Sequence, residues 1–262
     1  MQPLVVEAQP ESRTALGYRL LVSRMPMLAK GRRVRSLLVV GAQAGDGRGE
    51  FAANLAAVMV RTGRSVTLVD ADDLDPQVTR IFAMNERMGL GELLDMPTDA
   101  ATDPASLASV RQTRAPGIEI IPVGDRGSKL MQDTSARRLL DSMRSGSDLV
   151  VLSGPPIHRS ANALLWARVV DAVVLVVREE TTQLENLRYA VESLRLVDAN
   201  LVGTVLLERR RGASRRPPLH PGPRPIPATS QARARKHATP EGKGSQTAEK
   251  TVDSAAGTRR AG

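Results

Sequence analysis

Four consecutive apolar residues, Leu37-Leu38-Val39-Val40, lead directly into a loop carrying Gly41, Gly45, Gly47 and Gly49. Residues 51–60 (FAANLAAVMV) then have the Ala, Leu and Met content of a helix. The apolar run, set between Arg35 and the turn-former Gly41, reads as a buried strand. Where such a loop meets a helix, free backbone amides and the positive end of the helix dipole face the same point. Strand, glycine loop and helix start are therefore the geometry of a phosphate-binding turn. A strand-turn-helix connection that holds no ligand stands beside it as the plainer reading.

A working phosphate loop of the Walker A kind ends Gly-Lys-Ser/Thr. The lysine reaches the β- and γ-phosphates and the hydroxyl holds Mg²⁺. Here Gly47 is followed by Arg48, Gly49 and Glu50. Arg48 keeps the charge without the compact ammonium, and the exchange is not conservative at a tight phosphate site. Gly49 supplies no hydroxyl for a metal. Glu50 sets a carboxylate in the first helical turn, where it satisfies the dipole and repels phosphate.

Together with later motifs, this stretch resembles the bacterial tyrosine kinases (BY-kinases) of capsule and exopolysaccharide synthesis, relatives of the ParA and MinD ATPases. That family reads PGEGKST and then xAANLA. This chain has Ala44-Gly45-Asp46-Gly47-Arg48-Gly49-Glu50, then Ala52-Ala53-Asn54-Leu55-Ala56. A second family landmark is a strand ending Val-Asp-Ala-Asp with a Pro and a Phe beyond it. Here Val69-Asp70-Ala71-Asp72 precedes Pro76 and Phe82. The third, Ile-Asp-Ser-Pro-Pro, is matched by Leu152-Ser153-Gly154-Pro155-Pro156. The motifs keep their order and spacing, and the resemblance spans residues 14–207.

The resemblance implies a doubly wound, P-loop NTPase-like α/β fold, with a mostly parallel sheet of about six to eight strands flanked by helices on both faces. It implies ATP or ADP with Mg²⁺ as the ligand, and Gly45, Asp46, Gly47, Arg48, Gly49 and Glu50 as the vestige of the nucleotide loop. Asp70 and Asp72 match the acids that serve Mg²⁺ and activate the attacking hydroxyl. Capping of the following segment is the alternative role for both. Two further positions depart from the pattern. Ser153 stands where the Walker B aspartate is expected, and a hydroxyl cannot hold the water shell of Mg²⁺ as a carboxylate does. Leu207 stands where the family has an asparagine that touches adenine. No set of metal ligands is assigned, since His158, His220 and His237 are scattered and the chain has no cysteine.

Periodicity supplies the rest of the chain. Residues 1–13 look irregular, and 14–29 read as a helix that Pro26 ends or kinks. In the kinases a helix at this place carries Glu-x-x-Arg-x-x-Arg and pairs subunits into a ring. Leu16, Arg19 and Val22 hold those positions here, so a helix covering the sheet edge is preferred over a homo-oligomer. Strands are expected at 65–70, 118–123, 148–152, 171–178 and 201–207. One or two short helices are expected in 76–95, and a surface connection with a helical turn in 96–116. A helix over 129–144 would turn Leu130, Met131, Leu139, Leu140 and Met143 inward. A short helix at 160–168 carries Trp166 in the core. The helix at 184–196 is capped by Thr181-Thr182 and presents Leu184, Leu187, Val191 and Leu194 on one face.

Charge divides the chain. Residues 208–262 hold 13 Lys or Arg against 4 Asp or Glu, and the whole net charge of +9 resides there. With seven prolines and no aromatic residue, that tail is expected to be a disordered basic arm. The domain reading is thus an irregular 1–13, a kinase-like domain at 14–207 and the tail at 208–262. No apolar run approaches the ~18 residues of a membrane span, and the first residues lack the pattern of a signal peptide. A cytoplasmic place is expected, peripheral to the membrane through a partner. The kinases carry their own spans or borrow a membrane protein, so a membrane-anchored polysaccharide co-polymerase (chain-length protein) is the implied partner.

The joint departure at Arg48, Gly49, Glu50, Ser153 and Leu207 points to a non-catalytic scaffold or regulator of exopolysaccharide synthesis or export, because phosphoryl transfer rests on positioning and charge neutralisation. The kinases also end in a tyrosine cluster, whereas the two tyrosines here, Tyr18 and Tyr189, fall in predicted helices. Two other readings stand. One is an active ATP-dependent protein tyrosine kinase or ATPase in which Arg48 replaces lysine and Asp70 and Asp72 suffice for Mg²⁺. The other is a ParA-like module whose basic tail grips DNA or an anionic membrane without sequence preference.

Overall fold

The computed structural model describes residues 3–28, 33–84, 87–125 and 132–208. All lie in a first unit, Met1–Arg216; a second unit, Pro217–Gly262, falls outside the described residues. The expectation of a disordered arm therefore lies almost wholly outside them, as do Leu130 and Met131.

The elements run α1 (Val5–Ala8), α2 (Arg13–Leu28), β1 (Ser36–Gly41), α3 (Arg48–Arg61), β2 (Val66–Asp70), α4 (Gln77–Ile81), α5 (Leu90–Asp95), α6 (Thr98–Ala101) and α7 (Pro104–Val110). There follow β3 (Gln112–Ala115), β4 (Ile118–Ile121), α8 (Asp133–Ser145), β5 (Leu149–Ser153), α9 (Ala161–Val169), β6 (Ala172–Arg178), α10 (Leu184–Leu196) and β7 (Leu201–Leu207). The strands form one sheet in the order β3-β4-β2-β5-β1-β6-β7. Every pairing is parallel except β3 with β4. Strands buried on both faces need continuous apolar runs. Accordingly β1, β2 and β5 are buried along their whole length.

Alternate strand residues feed two cores. Leu37, Val39, Leu68, Val151 and Val174 face α1–α4, where Phe51, Leu55 and Met59 of α3 meet them. Leu38, Val40, Val69, Leu152 and Val173 face the other layer, where Leu139, Leu140, Trp166 and Leu194 pack. Helices on both faces of a mostly parallel sheet make the doubly wound α/β architecture. The reversal of strand order places the carboxyl ends of β1, β2 and β5 side by side, where such sheets hold their ligand site.

Several local expectations change. Residues 5–8 are a helix rather than irregular, because Leu4 and Val6 are buried against α3 and the Val6 amide donates to Asn54 Oδ1 at 3.1 Å. Helix α2 continues past Pro26 for two residues and stops at Leu28, so the proline acts in the last turn. The 96–116 connection holds α6, α7 and the antiparallel edge strand β3. Asp103 caps α7, and Leu107 and Val110 are buried. Leu184 is exposed at the start of α10, while Leu187, Val191 and Leu194 pack on the core as expected, with Ala190 buried among them. Thr181-Thr182 does not cap that helix: its N-cap is Gln183, without a side-chain bond. Thr182 serves the glycine loop instead.

Candidate functional site

The loop after β1 turns into α3 through Gly47, whose φ of 86° lies in the left-handed region that favours glycine. Gly45 has the same φ and is exposed. Asp46, fully buried between them, braces the turn. One carboxylate oxygen accepts from the Gln43 amide at 2.7 Å, and the other accepts from Thr182 Oγ1 at 2.7 Å. Burial pushes this carboxyl above its ordinary range, against those hydrogen bonds and the charge of Arg48. Thr182 in turn accepts from the Arg178 amide at 2.7 Å, and Arg178 Nε donates to the Gly45 carbonyl at 3.3 Å. A side chain at Gly47 would collide with the Arg178 guanidinium and with Leu207.

Arg48 is wholly buried and runs sideways beneath the strand ends. Its Nε donates to the Gly154 carbonyl at 2.8 Å. Its Nη2 forms an ion pair with Asp72 and stands 3.7 Å from Asp75. Burial pushes the guanidinium pKa down, against the pull of Asp75, Asp70 and Asp46. Asp72 also receives the amides of Leu74 and Asp75 on Oδ1, both at 3.1 Å, which fixes the turn before α4. Burial works to raise Asp75, but hydrogen bonds from Gln77 and Arg80 and the charge of Arg48 outweigh it and hold the carboxyl low.

Gly49 sits in the first turn of α3. Its amide donates to Gln77 Oε1 at 3.1 Å, while Gln77 Nε2 donates to Asp75 at 2.7 Å. A Cβ at Gly49 would run into Gln77 Cβ, so the absent side chain is what lets Gln77 lie there. Glu50 follows, half-buried, with its charge acting on the hydroxyl of Tyr18, whose ring stacks on Phe51.

Asp70 ends β2 opposite Ser153 of β5. Its Oδ2 accepts from both the amide and the hydroxyl of Thr79, at 2.8 and 2.9 Å. With no exposure, burial pushes its pKa up to about 7, against the Thr79 bonds and Arg48. The Ser153 hydroxyl is buried with no hydrogen-bond partner among the described residues, although its carbonyl accepts from the Ala71 amide at 2.9 Å. Leu207 ends β7, half-buried beside Gly47.

The structure therefore gathers Asp46, Gly47, Arg48, Gly49, Asp70, Asp72, Ser153 and Leu207 at one sheet edge, with Gly45 at the surface and Glu50 on the outer turn. Sequence reasoning missed Asp75, Gln77, Thr79, Thr182 and the Gly154 carbonyl. The signal for two of them was present, since Asp75 and Gln77 flank the landmark Pro76. Among the described residues no group of three or more His, Asp or Glu side chains could hold a metal ion.

No protein-family profile matches the chain. Among curated proteins it is similar to the tyrosine-protein kinase YwqD of Bacillus subtilis (strain 168), 24% identical over 206 residues, covering 78% of this chain and 84% of that protein. It is also similar to the succinoglycan biosynthesis transport protein ExoP of Rhizobium meliloti (strain 1021), 25% identical over 209 residues. That match covers 78% of this chain and 26% of ExoP. Among solved structures, the kinase domain of the Escherichia coli tyrosine kinase ETK superposes with a TM-score of 0.70 at 23% identity, over 81% of this chain and 83% of that one. A ParA family ATPase from Chlorobium tepidum TLS reaches 0.53 at 17% identity, over 69% and 75%. The fold is of the class that the bacterial tyrosine-kinase domain and the ParA family ATPase share. Its similar curated proteins by sequence include several bacterial tyrosine-protein kinases.

Proposed function

We propose that this chain is a non-catalytic relative of the bacterial tyrosine kinases that serves as a scaffold or regulator in exopolysaccharide synthesis or export. One observation carries the reading: the side chain at the lysine position, Arg48, is buried in an ion pair with Asp72 rather than free at the loop mouth. The neighbouring geometry supports it. The Gly49 amide is taken by Gln77, the residue itself offers no hydroxyl, and Ser153 replaces a metal-binding carboxylate. Nucleotide phosphates and Mg²⁺ need those donors and ligands free, so the residues present do not fit Mg²⁺-nucleotide, and no phosphoryl-transfer step is assigned to Asp70 or Asp72.

The membrane connection is part of the same proposal. Among the described residues no helix is long and apolar enough to cross a membrane; the relative ExoP is a succinoglycan biosynthesis transport protein of which the match covers 26%. A membrane-anchored polysaccharide co-polymerase is the partner this reading assigns, with the protein at the inner membrane face. The domain limits proposed from sequence, 14–207 for the folded kinase-like part and 208–262 for a basic arm, belong to it as well. The test is Mg²⁺-dependent ATP turnover and tyrosine phosphorylation by the full chain. The expected result is no activity above that of Asp70→Ala; turnover that Asp70→Ala abolishes would restore the enzyme reading.

A further inference from the structure

We propose that residues 72–79 form a strap that the glycine loop holds shut with its own groups, so that the segment is fixed without any ligand. This rests on the non-catalytic reading of the loop. Two adjacent residues of α3 take hold of three residues of the strap. Arg48 pairs with Asp72 and lies 3.7 Å from Asp75, and the Gly49 amide bonds Gln77 Oε1 at 3.1 Å. The far end is secured by Asp70, which receives both donors of Thr79, and the Thr79 hydroxyl accepts from the Val123 amide beyond β4 at 3.2 Å.

The contacts are chemically complementary. A guanidinium among carboxylates supplies the positive charge that a bound cation would bring, and an amide oxygen on Gly49 N supplies the acceptor that an anion would bring. The steric fit is as specific. Any side chain at Gly49 would displace Gln77, so Arg48, Gly49 and Gln77 work as a matched set. A ligand can move a segment only if the segment's two states differ in affinity for it. Here the contacts of the closed state come from the loop itself, and nothing in them waits for a nucleotide.

Amide hydrogen exchange on the full chain tests the strap, comparing the wild type with and without millimolar Mg²⁺-ATP, and the Arg48→Ala and Gln77→Ala variants. The expected result is protection at 72–82 in the wild type, unchanged by Mg²⁺-ATP. Gln77→Ala should speed exchange there by several-fold, while residues 149–153 change by less than about twofold, and Arg48→Ala should speed it by about tenfold or more together with the global loss that removing a buried ion-pair partner brings. Millimolar methylguanidinium, entering the space Arg48→Ala leaves beside Asp72, should restore protection at 72–82. Equal exchange in the wild type and Gln77→Ala, or a rise in Gln77→Ala spread evenly over the sheet, would overturn the strap; Gln77→Ala carries the test if Arg48→Ala does not fold. Mg²⁺-ATP that binds while the strap stays protected would overturn the functional reading alone. Binding that loosens the strap would overturn both.

Discussion

Arg48 carries its charge into a place with no exposure and meets it with Asp72 there. Desolvation of both ions offsets much of their attraction, so the pair adds little net stability relative to an apolar core. Its Nη1 is buried without a hydrogen-bond partner among the described residues, which adds to that cost. Removing one partner is another matter, because the other is left charged and buried. Arg48→Met should destabilise the fold by roughly 3–5 kcal/mol, and Arg48→Met with Asp72→Asn should recover part of the loss. Urea unfolding of the four proteins in a double-mutant cycle measures this; additive losses would mean the two side chains do not interact. Asp70 gives a pH signature. Its folded pKa of about 7 lies above the ordinary 3.8, so the folded state holds the proton more tightly than the unfolded one. Asp70 thus favours the fold fully below about pH 4, and that contribution is lost as pH rises through about 7. Asp70→Asn, which keeps an acceptor for Thr79, lacks this loss. The variant should gain Tm on the wild type steadily between pH 4 and 8, and a constant difference across that range would contradict the burial argument.

At the scale of elements, α3 is the hub, with eleven of its residues buried between the sheet and α1, α2 and α4. Asn54 ties the N-terminal segment to it, accepting from Val6 N and donating to the Glu50 carbonyl at 2.8 Å. Asn54→Ala leaves the buried Val6 amide unpaired, at a cost of about 1–3 kcal/mol. Cleavage within residues 3–8 should then speed up in limited proteolysis, whereas cleavage there unchanged from wild type would mean that α1 is held by Leu4 and Val6 alone. The same elements mark what the sequence made legible. Continuous apolar, valine-rich runs such as 172–177 declared the parallel strands, and glycine spacing located the loop. The helix at 5–8 was hidden because its burial depends on Asn54, 48 residues away. Strand β3 was hidden because it pairs only at the sheet edge, through a register shift between Thr113 and Ala115. At the site, residue types announced the missing lysine, hydroxyl and carboxylate. That Arg48 would turn toward Asp72, and that Gln77 would cover Gly49, depended on the approach of α4 to α3, which no local pattern encodes.

For the whole molecule, a seven-stranded sheet brings together a glycine loop, two aspartates and a serine at the usual ligand edge of such a fold, and on the proposed reading the chain's own side chains take the contacts that a nucleotide would need. Restoring single family residues should therefore fail. Gly49→Ser adds the hydroxyl but drives its Cβ into Gln77, so it should lower Tm without conferring nucleotide binding, whereas a Gly49→Ser protein of unchanged stability would show that Gln77 moves aside freely. The most direct measurement is titration calorimetry of the wild-type full chain with ATP and with ADP, each with and without Mg²⁺. The expected result is no binding at millimolar nucleotide under either condition. Micromolar binding that requires Mg²⁺ would contradict the central claim that Arg48 and Gln77 have closed the site.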